Sequence, residues 1–68
     1  MIPVDSSAFH SVDYEPRSRV LTVQFTSLAI YEYADVPMIV FKELMAAESK
    51  GTYFAKNIRN EYEFCRVR

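Results

Sequence analysis

Glycine is nearly missing from this chain: Gly51 is the only one in 68 residues. The connections must therefore be built from proline, serine, asparagine and aspartate, which turn the backbone by other means. Cysteine occurs once, as Cys65, and histidine once, as His10. One thiol forms no internal disulfide, and the lone pair of candidate ligands has no zinc-site spacing. No apolar run approaches the roughly 20 residues a membrane helix needs. The opening Met1-Ile2-Pro3-Val4-Asp5 lacks the charged and apolar regions of a secretion signal. These absences point to a reducing, cytoplasmic setting without a membrane, a cofactor or a metal.

Half of the residues are hydrophobic and aromatics make up 15%. That suits one small packed domain, 1–68, although a core this size rarely supplies more than ~3–5 kcal/mol. The net charge of −1 excludes a uniformly basic protein. The charge is unevenly spread. Residues 1–48 hold Arg17, Arg19 and Lys42 against seven acids, whereas 49–68 hold Lys50, Lys56, Arg59, Arg66 and Arg68 against Glu61 and Glu63. A basic end on a near-neutral chain is compatible with an anionic partner.

The organising stretch is Tyr31-Glu32-Tyr33-Ala34-Asp35-Val36-Pro37. A spacing of two puts both tyrosines on one face of a strand. Pro37 then holds Val36 extended and suits the first turn of a following helix. Before it, Val4 to Ala8 reads as an extended lead-in with a turn at Asp5-Ser6-Ser7. Phe9 to Tyr14 reads as a strand whose alternation is imperfect, as a bulge would make it. Glu15-Pro16-Arg17-Ser18 is a turn. Val20 to Thr26 alternates cleanly, with Leu21, Val23 and Phe25 on one face. A three-residue loop, Ser27-Leu28-Ala29, would pair Phe25 with Tyr31 and Val23 with Tyr33. A two-residue loop would put the tyrosines on the polar face.

After Pro37 the period changes. Val40, Phe41, Leu44 and Met45 form the inward stripe of a helix over 37–48, with Ile39, Lys42, Glu43 and Ala46 outward. Ser49 can cap a second helix from about Lys50 to Asn60, which turns Phe54 and Ile58 inward and Thr52, Lys56 and Arg59 outward. Tyr62 to Val67 forms a last short strand or an extended tail. The expected architecture is α+β: a three-stranded antiparallel meander with two helices on one face and a C-terminal strand or tail. Phe25, Tyr31, Tyr33, Phe41, Leu44, Phe54 and Ile58 are the expected core.

These residues resemble the KTSC family, a short domain found at the C-terminus of some lysyl-tRNA synthetases and also as a free-standing protein. The resemblance runs from Val4-Asp5-Ser6-Ser7 through Tyr14-x-Pro16, Leu21-x-Val23-x-Phe25, Tyr31-x-Tyr33 and Val36-Pro37. It closes with Ser49-Lys50-Gly51-x-Tyr53-Phe54, Ile58-Arg59 and Tyr62. Asp13 and Leu28 stand where such proteins often have glycine. The resemblance implies the same α+β fold and, through the synthetase context, RNA as a partner.

Catalysis is not expected. Asp5, Ser6, Ser7 and His10 include hydrolase residue types, but nothing suggests a nucleophile elbow or an oxyanion loop, and local turn bonding explains them. Tyr31 and Tyr33, the family motif, are read as core because they share a face with Val23 and Phe25, although sheet aromatics also stack bases in RNA-binding sheets. Ser49-Lys50-Gly51 opens a helix, where free amides suit phosphate, and a lysine and a glycine are both poor choices for the helix itself. The candidate nucleic-acid-binding residues are therefore Ser49, Lys50, Gly51, Tyr53, Lys56, Arg59 and Arg66. The expected function is a non-catalytic small module that binds RNA or another nucleic acid. The alternative is a protein–protein interaction module of a bacterial or phage complex, docking on a larger protein through apolar residues such as Ile39. The protein is expected to be a monomer or a weak homodimer.

Overall fold

The computed structural model describes residues 2–4 and 7–68. Most of the turn expected at Asp5-Ser6-Ser7 therefore lies outside the described residues. Among them, five strands form one antiparallel sheet in chain order, with two helices inserted before the last strand. The strands are β1 (Ile2–Pro3), β2 (Phe9–Glu15), β3 (Val20–Phe25), β4 (Ile30–Tyr33) and β5 (Phe64–Arg66). The helices are α1 (Met38–Ala46) and α2 (Lys50–Asn57). The α+β class stands, but the meander has five strands, not three. β1 escaped notice because two residues, one a proline, show no alternation. Proline is tolerated there because β1 is a sheet edge.

The bulge in β2 is real. Phe9 pairs with Phe25, but Ser11 pairs with Gln24, so the ladder slips at His10. One extra residue changes which side chains face the helices. Phe9 and Val12 are both buried toward the helices as a result, while Ser11, opposite Gln24, is buried on the other face and His10 is exposed. Between β3 and β4 the observed pairs are Val23 with Tyr31 and Leu21 with Tyr33. The expected pairing is thus displaced by two residues, and the connection is the longer Thr26 to Ala29. A shift of two preserves the face, so the tyrosines still point toward the helices. Leu28 takes φ 73° in this connection and Arg19 takes φ 59° in the preceding one. That region is sterically costly for side chains with a Cβ. Leu28 accordingly occupies a glycine-like position, whereas Asp13 lies inside β2 with an ordinary backbone.

Pro37 caps α1 from outside, and the helix ends at Ala46, where Ala47 turns extended. Ser49 caps α2 with its Oγ accepting from the Thr52 amide at 3.3 Å. α2 stops at Asn57, three residues earlier than expected, because Ile58 leaves helical geometry at φ −123°. The core joins Phe9, Val12, Leu21, Val23 and Tyr33 from the sheet to Val36, Leu44, Phe54 and Ile58. Phe25, Tyr31 and Phe41, expected at its centre, are only partly buried and pack against it. Tyr14 stacks on Phe41 with ring centres 4.9 Å apart and donates its hydroxyl to the Val36 carbonyl, which ties α1 to the sheet. The outer sheet face carries Thr22, Gln24 and Glu32, as a sheet covered on one side should. No helix among the described residues is long and apolar enough to cross a membrane.

Candidate nucleic-acid interface

The helices do not cover the whole inner face of the sheet. β5 pairs with β4 so that Arg66 lies opposite Tyr31 and Phe64 opposite Tyr33. Opposite residues share a face, so Phe64 and Arg66 extend the helix side of the sheet beyond the reach of α2. A cleft of about 560 Å³ lies there, between β3–β5 and α2. Its sheet wall is aromatic: Phe9, Phe25, Tyr31, Tyr33 and Phe64. Phe25 meets Tyr31 edge to face at 5.5 Å, and the Phe64 ring lies 5.7 Å from Tyr31 and 5.6 Å from Tyr33. Phe64 nevertheless stays 58% exposed.

Two arginines enter the cleft from different elements. Arg66 on β5 holds its guanidinium carbon 6.0 Å from the Tyr31 ring centre, within cation–π reach, and its Nε donates to the Arg68 carbonyl at 3.1 Å. Arg59 follows the end of α2 and lines the same cleft. The early stop of α2 swings Arg59 off the outward face it was expected to share with Lys56. Burial pushes the Tyr33 hydroxyl above its usual pKa and Tyr31 adds to this, while the positive charge of Arg59 pulls it back. Among the described residues, no aspartate or glutamate lines the cleft. A smaller hollow of about 200 Å³ at the β4–β5 margin contains Glu32 and Glu63 instead.

The expected binding residues separate into two groups. Gly51, Arg59 and Arg66 line the cleft together with Tyr31 and Tyr33. Tyr33 is buried as a core residue, whereas Tyr31 is only half-buried. Ser49, Lys50, Tyr53 and Lys56 are not part of its lining. Ser49 is occupied by capping and by a 2.9 Å bond to the Thr52 hydroxyl. Lys50 Nζ donates to the Ala47 carbonyl at 3.2 Å, so the lysine turns back over the loop. Tyr53 donates to Glu43 Oε1 at 2.8 Å and clasps α2 to α1. Burial, with that bond and the Glu43 charge behind it, pushes the Tyr53 pKa up to about 12. Gly51 has a packing reason: a Cβ there would sit 3.2 Å from the Ala8 Cβ. The close approach is between α2 and the segment entering β2, not between the two helices.

Phe64 is the functional candidate that sequence reasoning missed. Its only signal was alternation in Tyr62 to Val67, too short to show which neighbour that segment joins. Cys65 is exposed on β5. Among the described residues no group of histidine, cysteine or acidic side chains could hold a metal ion.

Fold and cleft together define a small α+β domain with a basic, aromatic hollow at one end of its sheet. Residues 5–62 match the KTSC domain family. The chain is 39% identical over 64 residues to a lysine–tRNA ligase of Nostoc sp. (strain PCC 7120), covering 94% of this chain but only 11% of the ligase. It is 33% identical over 67 residues to an uncharacterized protein of Stutzerimonas stutzeri (strain A1501), covering 94% of that protein. The crystal structure of a KTSC domain protein from Yersinia pestis superimposes with a TM-score of 0.94 at 33% identity, covering 97% of this chain and 93% of that one. The chain belongs to the KTSC domain family.

Proposed function

We propose that the protein is a non-catalytic module that binds single-stranded RNA through the cleft between α2 and β3–β5. The observation that carries this reading is the composition of the cleft: the accessible rings of Phe25, Tyr31 and Phe64, with Arg59 and Arg66, and no acid among the described residues. Rings stack on bases at about 1–3 kcal/mol each, and arginines hold phosphate. The relatives named lysine–tRNA ligase support it, since the domain there belongs to a chain whose name specifies a tRNA. The reading sets the protein in the cytoplasm, where the exposed Cys65 thiol stays reduced.

The test is titration of labelled single-stranded RNA at several salt concentrations. Two phosphate contacts to a single strand give a slope of roughly −1.4 in log affinity against log salt. Arg59→Glu with Arg66→Glu removes both contacts and flattens that slope. Lys42→Glu on α1 is the matched control and binds as the unaltered protein does. Equal binding by the double variant and the control refutes the cleft as the site.

The competing protein-interaction reading rests on one feature. Met38 and Ile39, adjacent at the start of α1, are 43% and 60% exposed. Should the unaltered protein bind no RNA, this reading takes precedence, and partner capture should then be lost in Ile39→Asp.

A further inference from the structure

Beside the buried Phe54, the cleft is lined from α2 and the strand ends by small residues. Gly51 and Ala55 stand one helical turn apart on α2, and Ala8 and Ala29 come from the ends of β2 and β4. Large residues at these positions would fill the hollow, and their absence beside exposed Phe64 keeps it open. At one end the cleft closes where α2 approaches Ala8, at the spot where a Gly51 Cβ would be 3.2 Å from Ala8. At the other end stand Arg59 and Asn60. About 560 Å³ is the scale of a pocket for one small ligand, not of a groove along which a strand could lie.

We infer that the cleft takes one unstacked nucleotide, its base laid on Phe64 beside Ala55 and the phosphates on either side of it held by Arg59 and Arg66. The chemistry of the walls requires both halves of that ligand. A purely apolar ligand would leave two arginines facing it without an anion. A bare anion would leave the exposed Phe64 ring and the empty space beside Ala55 unused. A nucleotide joins a flat ring to a charge, which matches a hollow whose walls carry both rings and guanidinium groups. Asn60, at the arginine end, offers an amide to the sugar or phosphate oxygens. This deepens the RNA-binding reading and rests on it. Free mononucleotide and an unpaired nucleotide within RNA share the chemistry, and the experiment separates them.

The experiment uses Ala55→Leu. Ala55 is exposed and helical, and leucine is a good helix former, so the fold and its melting temperature should stay as they are. The larger side chain fills the space for the base while leaving both arginines in place. Affinity for a short single-stranded RNA should fall about tenfold or more, the loss of one stacked base. The salt slope should be unchanged. A blunt RNA duplex, with no base to insert, should bind weakly and equally to both proteins. In NMR titrations, adenosine should shift the resonances of Ala55 and Phe64, and inorganic phosphate those of Arg59 and Arg66. Adenosine monophosphate should shift both sets.

Single-stranded RNA that binds Ala55→Leu as tightly as the unaltered protein, yet fails to bind Arg59→Glu with Arg66→Glu, overturns the base pocket and leaves the RNA-binding module intact. Shifts from adenosine monophosphate that bypass Ala55 and Phe64 overturn it equally. Adenosine monophosphate binding as tightly as the RNA strand upholds the pocket and overturns RNA as its source. No response to RNA or to the mononucleotide overturns both readings together.

Discussion

Leu44 carries the clearest energetic consequence of the fold. It is the one fully buried residue of α1, at 0% exposure, and with Val36 it anchors the start of the helical layer in the core. Leu44→Ala removes the side-chain carbons that fill this position, and the sheet behind it cannot collapse into the space. Such changes cost about 2–5 kcal/mol, the transfer term plus the cavity term. A chain of 68 residues has a total stability of about 3–10 kcal/mol. A loss of about 3 kcal/mol would lower the melting temperature of a domain this size by about 12–24 °C. Circular dichroism melts and urea titration read it directly, with the urea midpoint falling and the m-value unchanged. Ile39→Ala is the control on the same helix, since a 60% exposed side chain should change stability by no more than about 0.5 kcal/mol. A drop below about 4 °C in Leu44→Ala would refute the assignment of this stripe as the anchor of α1.

Two further outcomes concern single side chains. Because the folded pKa of Tyr53 is raised from the usual 10.0 to about 12, its contribution is complete below pH 10 and disappears as pH rises toward 12. Tyr53→Phe should therefore flatten the loss of stability between pH 10 and 12 in a urea-midpoint series, and an unchanged profile would show that the Glu43 clasp is not formed. Leu28→Gly should raise the melting temperature by up to several degrees. It relieves the left-handed backbone, worth about 1–2 kcal/mol, against about 0.5–1 kcal/mol for added freedom in the unfolded chain, and Leu28 is 59% exposed and gives up little packing. A fall of more than about 4 °C would contradict that balance.

Local pattern carried most of the fold. The alternation of Leu21, Val23 and Phe25 and the Tyr31-x-Tyr33 spacing determined which face meets the helices, even though the register was two residues off. Parity survives such a shift, whereas loop length cannot be read from side-chain alternation. The Val40, Phe41, Leu44, Met45 stripe and the Ser49 cap were legible for the same reason, being patterns within one element. The cleft was not legible, because it is made where distant elements meet. Arg59 reached it only because α2 ends at Asn57, and Phe64 and Arg66 only because β5 joins β4 across both helices. Lys50 and Tyr53 looked suited to binding by residue type, yet each found a partner inside the chain, Ala47 and Glu43.

The place of β5 in the sheet has a consequence for the order in which the molecule becomes competent. β2, β3 and β4 follow one another directly and close short loops, as do α1 and α2. β5 alone must wait for both helices before it can zip onto β4, and loop closure over that distance is slower. It is also a three-residue strand at the margin, with every side chain exposed, and such segments open most readily in the native state. Phe64 and Arg66 both ride on it. The cleft is thus the last part to assemble and the first to come apart, so the hydrophobic core can be intact in a molecule that has no cleft. A ligand held between β5 and α2 would slow amide exchange at Phe64–Arg66 and Ile30–Tyr33 far more than in β2 or β3, and so would be visible as a local clamp before it registered as a change in melting temperature.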